Sequence, residues 1–142
     1  MTKLIFILAL IILGFGSEAQ VKTDSGRMKL NDQCDKFMQD FQNAKFSEGI
    51  QLLKQNSTLG ESFVDNLDKT MSAQMVNVLA NYKKITGYEL IEEKVIKNVL
   101  VRRRYLLKFE VFFLTFDFYL YNNGSNWVIS GFYYKDEQKD LF

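Results

Sequence analysis

The chain has 142 residues, 47% of them hydrophobic and 25% charged, which suits one small core and leaves too little for two. Eighteen Lys and Arg against 17 Asp and Glu leave a net charge of +1, too weak a field to gather nucleic acid or anionic lipid. Histidine is absent and Cys34 is the only cysteine, which excludes Cys/His zinc sites, Ser-His and Cys-His nucleophile pairs and an internal disulfide.

The chain opens with the pattern of an export signal. Lys3 supplies a positive charge, Leu4 to Phe15 form an apolar run, and Ser17-Glu18-Ala19 puts small residues where a signal peptidase reads them. The run is shorter than the roughly 20 residues a membrane span needs, and no cysteine near it is available for lipidation, so no stable membrane anchor is expected. Cleavage after Ala19 divides the chain into a signal peptide, residues 1–19, and a single domain, residues 20–142, secreted or periplasmic. Two glycosylation sequons, Asn56-Ser57-Thr58 and Asn123-Gly124-Ser125, matter only in a host that glycosylates exported proteins.

After a polar leader, Gln20 to Gly26, helical periodicity runs from Arg27 to Ala44. Leu30, Cys34, Phe37 and Phe41 share its apolar stripe, so Cys34 reads as a packed side chain rather than a reactive thiol. Phe46 to Gln55 predicts a second, shorter helix with Ser47 as its cap. Thr58 and Glu61 have capping-box spacing before a third helix through Phe63, Leu67, Met71, Met75, Val78 and Tyr82, expected to be the longest and to end near Gly87.

From Tyr88 the pattern turns to strands: Tyr88 to Ile96, Leu100 to Glu110, Leu114 to Tyr121 and Trp127 to Tyr134. Short connections predict an antiparallel meander, with Gly124 in the clearest turn. Helices first and strands second give an α+β domain, with three N-terminal helices packed on a four-stranded antiparallel sheet. In the third strand Leu114, Phe116, Phe118 and Leu120 should meet the helices, leaving Thr115, Asp117, Tyr119 and Tyr121 on the other face. With Trp127 and Tyr133 assigned to that same face, it is more aromatic than a solvated surface needs, and a homodimer through Asp117, Tyr119, Tyr121 and Trp127 is expected.

Gly87-Tyr88-Glu89-Leu90-Ile91, Arg104 to Glu110, Leu120-Tyr121 with Trp127, and Phe132 with Asp136 resemble small exported proteins of the cystatin-like, nuclear transport factor 2-like superfamily. The resemblance implies a strongly curved sheet wrapped around helices and enclosing a conical pocket. It implies no particular reaction, because that fold carries isomerases, dehydratases, ligand carriers and inert interaction domains.

Arg102-Arg103-Arg104 is the densest basic run, and strand alternation sends Arg103 to the face of Val101, Tyr105, Leu107 and Phe109. There it either pairs with Glu92 of the first strand or waits for an anionic ligand at the pocket mouth; Arg103, Tyr105 and Glu92 are therefore the candidate pocket residues. Asp117 alternates away from that pocket and is expected to pair across strands with an arginine of the run. The expected function is an exported, non-catalytic domain that binds a small apolar or anionic ligand or a protein partner. The alternative is a small isomerase or lyase using a pocket carboxylate and tyrosines; no catalytic residue, metal or cofactor is assigned.

Overall fold

The structure, a computed structural model, describes residues 17–142. The apolar run expected to direct export lies outside the described residues. Among those described, no helix is long and apolar enough to cross a membrane.

Helix α1 spans Ser17–Gln42 and so includes the polar leader, Gln20 to Gly26, ahead of the periodicity that begins at Arg27. That leader has no apolar period to reveal a helix, yet it contains no proline to stop one. Gly26, inside it, lies against the sheet, where an added Cβ would make ordinary contact with the Trp127 ring at 3.4 Å. Ala44, at φ 57°, ends the helix and turns the chain into α2, Phe46–Gln51, which tightens into a 3-10 turn over Leu52–Lys54. Ser47 does not cap α2: Lys45 holds the cap position without a side-chain bond, and the Ser47 hydroxyl donates to Asp68 at 2.7 Å.

Helix α3, Glu61–Tyr82, likewise has no side-chain cap; Gly60 precedes it and Thr58 Oγ1 donates instead to the Ile129 carbonyl. At 22 residues it is shorter than α1 at 26, so the longest helix is the first, not the third. It stops at Lys83, which takes φ 69°, rather than near Gly87. Gly87 lies within the first strand, at a shift in its pairing, where its φ of 155° suits an irregular ladder.

The strands are β1 Ile85–Ile96, β2 Leu100–Phe109, β3 Phe113–Asn122 and β4 Trp127–Lys135. They pair antiparallel in the order β1-β2-β3-β4, an open meander. The fold is α+β, with three α-helices and this sheet among the described residues. Between β3 and β4, Gly124 takes φ 94° and the Asn123 side chain accepts from the backbone of Ser125 and Asn126, which closes the turn.

Two bulges decide which side chains face the helices. Between Leu90 and Glu92 the β1 register slips by one residue at Ile91, so Glu93 stands opposite Arg103 and Glu92 opposite Arg104. Uninterrupted alternation from Tyr88 and Leu90 would have put Glu92 on the inner face; the slip sends it outward and brings Glu93 in. In β4 the pairing passes from Tyr119↔Gly131 to Leu120↔Ile129, leaving Ser130 as the extra residue. Trp127 and Ile129 therefore turn inward with Phe132, and Trp127 is 5% exposed in the core rather than part of an outer aromatic face.

The inner face is filled by aromatic packing. Phe37 stacks on Phe41 at 4.5 Å and meets Phe118 edge-on at 5.1 Å, while Phe116 and Phe132 close round them. Ile50, Leu53, Met71 and Met75 bring α2, the 3-10 turn and α3 into the same core. Burying each such ring contributes roughly 2–3 kcal/mol before ordering costs. Gly49 permits the close approach, since a Cβ there would sit 3.0 Å from the Phe41 ring. The free edge of β4 is covered by the segment before α3: Ile129 N donates to the Asn56 carbonyl at 2.8 Å and Thr58 N to the Ile129 carbonyl at 3.0 Å.

Candidate functional site

The four strands lay their outward side chains in rows. One row reads Ile96, Leu100, Tyr121, Val128; the next Lys94, Arg102, Tyr119, Gly131; the next Glu92, Arg104, Asp117, Tyr133. The sequence-predicted residues Glu92, Asp117, Tyr119 and Tyr121 thus come together on this outer face, whereas Arg103, Tyr105 and Trp127 belong to the inner one.

At the centre of the outer face Arg104 and Asp117 form a two-pronged pair, Nε to Oδ1 at 2.7 Å and Nη2 to Oδ2 at 2.8 Å. Both residues are only 6% exposed although they point away from the helices. Neighbouring side chains and the C-terminal segment shield them: Arg104 Nη1 donates to the Asp140 carbonyl at 3.1 Å, and Lys135 pairs with the Asp140 carboxylate. The Asp117 carboxylate raises the Arg104 pKa, so the pair is a fixed ionic floor. Lys135 holds the Asp140 carboxyl below its usual range.

Above that floor Tyr119 and Tyr133 meet edge to face at 5.7 Å. They pack over Gly131, where a Cβ would lie 3.4 Å from either tyrosine. Tyr133 remains 63% exposed. Arg102 gives one guanidinium nitrogen to Glu92, but its Nε is buried without a hydrogen-bond partner. These groups line a groove of about 530 Å³ that also reaches Thr115 and Lys135. A smaller hollow of about 160 Å³, walled by Lys94, Ile96, Leu100, Arg102 and Tyr119, continues it toward the β1–β2 turn. The face therefore presents the partly exposed Arg102 guanidinium between an aromatic wall and an aliphatic hollow.

The inner residues form a second polar cluster, at the seam between α1 and the sheet. Arg103, 5% exposed, donates from Nε to the Tyr105 hydroxyl at 2.9 Å, pairs with Glu93 through Nη1, and reaches Asp35 at 3.3 Å. The Tyr105 hydroxyl donates to Asp35 at 2.5 Å, and Arg27 also holds Glu93. Burial, reinforced by the bond to Asp35, raises the Tyr105 pKa and keeps it a neutral donor. Burial opposes the charge on Arg103, but Tyr105, Asp35 and Glu93 outweigh it and raise its pKa. Cys34 lies beside this cluster, buried and free, its thiol pushed up to about 12 by burial.

The structural partner of Arg103 is Glu93, helped by Asp35, and Glu92 is given to Arg102. Sequence reasoning missed Arg27 and Asp35, yet a signal existed: Arg27, Asn31 and Asp35 repeat every fourth residue, a polar ridge beside the Leu30–Cys34 stripe. It missed Lys135 and Asp140 because only the paired sheet brings the C-terminal segment against β2.

No protein-family model matches the chain, and no curated protein or solved structure matches it either.

Proposed function

We propose that this chain is an exported, non-catalytic binding domain whose working surface is the outer face of the sheet. Its ligand is a small molecule with an anionic or hydrogen-bond-accepting group and an apolar or aromatic body. The observation that carries this reading is the guanidinium of Arg102, whose side chain is 26% exposed and lies between the groove walled by Tyr119 and Tyr133 and the hollow walled by Ile96 and Leu100. The exposed part of that guanidinium can donate to an incoming carboxylate, a charge-assisted contact of about 1.5–3 kcal/mol. The helices-first order and the four-strand meander support kinship with the cystatin-like, nuclear transport factor 2-like superfamily, and the apolar run at the start supports export.

The isomerase or lyase reading has less support. Asp35 and Tyr105 are the inner carboxylate and tyrosine that could serve it, but Asp35 already accepts from Tyr105 and Arg103. The space beside Tyr105 is taken by the Phe118 ring at 5.6 Å. A base needs a substrate proton within reach and room for the substrate that carries it.

Nuclear magnetic resonance titration of the chain with benzoate, against neutral benzyl alcohol, tests the proposal. Benzoate should shift the amides around Arg102, Tyr119 and Tyr133, benzyl alcohol should do so more weakly, and Arg102→Met should abolish the difference without changing the circular dichroism. Benzoate shifts centred on any other surface, or none at millimolar concentration, would overturn it. Concentration-dependent shifts of the same amides without ligand would instead assign the face to a second copy. Intact mass of the exported chain, expected to begin at Gln20, checks the export half.

A further inference from the structure

The two edges of the sheet are treated differently. The β4 edge is occupied by the Asn56–Thr58 segment through two backbone hydrogen bonds and is bent by the bulge at Ser130. Among the described residues, the β1 edge is a 12-residue strand with no strand paired on its outer side. Its free backbone donors and acceptors are a template for another strand, which sheets deny by a cover, a short edge, a proline, a bulge or edge charges; of these β1 has register shifts before Glu92 and the charges Glu92, Glu93 and Lys94, but no cover. Here Leu90, Ile91, Val95 and Ile96 are 41%, 40%, 45% and 54% exposed along it, and the chain has no proline.

We propose that the β1 edge pairs antiparallel with the β1 edge of a second copy, joining the two sheets into one. The occupant follows from charge. Residues facing each other across antiparallel strands lie on the same side of the sheet, so a two-fold axis must pass through a residue position. An axis at Lys94 sets lysine against lysine and Glu92 against Ile96. An axis at Glu92 sets Glu92 against itself and Leu90 against Lys94. An axis at Glu93 sets Glu92 opposite the partner's Lys94, twice by symmetry, within the stretch beyond the bulge at Ile91. The Glu93 carboxylates that meet at this axis are each already neutralised by Arg27 and Arg103 of their own chain. Lys94 has no ion-pair partner among the described residues, although acidic Glu92 and Glu93 precede it in sequence.

The bulge at Ile91 limits the ladder to the stretch beyond it, and Leu90 and Ile96 then flank the junction. Glu92, Lys94 and Ile96 border both this junction and the groove with its hollow, so the assays keep the two readings apart: sedimentation without ligand reads the edge, and benzoate titration of dilute chain reads the groove.

Sedimentation velocity across a concentration series reads the outcome. The chain should form a dimer within the range up to on the order of 100 μM. Lys94→Glu, which turns each cross-axis pair into a repulsion, should weaken the dimer by about tenfold or more. The double variant Glu92→Lys/Lys94→Glu restores opposite charges across the axis and should dimerise more tightly than Lys94→Glu alone, with the recovery incomplete because Arg102 loses Glu92 within each chain. Circular dichroism and the thermal midpoint identify any variant that has misfolded; should one do so, hydrogen exchange of the wild type still decides, because dimerisation must protect β1 amides as concentration rises. A wild-type chain that stays monomeric throughout the series would overturn the proposal. So would a dimer that Lys94→Glu leaves intact while Tyr119→Glu dissolves it, since that locates the contact on the outer face.

Discussion

Replacing Arg103 with leucine keeps apolar bulk in the interior and deletes the charge that ties α1 to the sheet. Removing one partner of a buried ion pair costs about 3–5 kcal/mol when the other is left dry. Here the abandoned carboxylates are not dry: the Asp35 side chain is 47% exposed and that of Glu93 is 29%. Glu93 also keeps Arg27, and Asp35 keeps the Tyr105 hydroxyl. The hydrogen bond from Arg103 to Tyr105 is lost outright, and the leucine recovers some apolar contact. A net loss of about 2 kcal/mol is expected, which lowers the thermal midpoint by roughly 8 °C in a domain of this size. Thermal denaturation followed by circular dichroism measures it. Glu93→Leu should cost less in the Arg103→Leu background than in the wild type, because there only its pair with Arg27 remains to be lost. Glu92→Leu should cost the same in both backgrounds, since Glu92 serves Arg102 on the other face. Coupling of Arg103 to Glu92 instead of Glu93 would refute the slip at Ile91, and an unchanged midpoint in Arg103→Leu would refute the cluster itself.

Two further outcomes follow from the titrating groups. The Cys34 thiol, pushed up to about 12 and buried, should resist iodoacetamide at pH 8 in the folded chain and react once denaturant unfolds it; rapid labelling of the native protein would place Cys34 elsewhere. Burial works against the Asp68 charge, but hydrogen bonds from Ser47, Gln51 and Ser72 hold its carboxyl below the usual range. Its contribution to stability is present above the ordinary aspartate pKa and is lost as pH falls through the lowered folded value. Ser47→Ala should move the Asp68 carboxyl titration, followed by carbon resonance, upward toward the ordinary value.

Much of this molecule is legible along the chain. The strand limits of β2, β3 and β4 lie within a residue of those read from alternation, and the inward set Leu114, Phe116, Phe118 and Leu120 is the buried set. The Leu30–Cys34–Phe37–Phe41 stripe is likewise core. These features are periodic, and a helix or strand must turn its apolar period inward wherever it sits. The pairing of Asp117 with an arginine was also accessible, because both lie on outward positions of neighbouring strands.

What the sequence does not carry is a break in the period. Ile91 and Ser130 are ordinary strand residues, and nothing in their composition marks them as extra. Each bulge exists because the strand beyond it buries more favourably when shifted by one: Trp127 and Ile129 enter the core at β4, and Glu93 reaches Arg103 and Arg27 at β1. That gain belongs to contacts between β1, β4 and α1, far apart in the chain, so no local window contains it. By itself the sequence determined the elements, their order and the faces of the uninterrupted strands. Only the tertiary structure decided which carboxylate faces Arg103 and which side of the sheet holds Trp127, because a single-residue slip reverses every side chain beyond it.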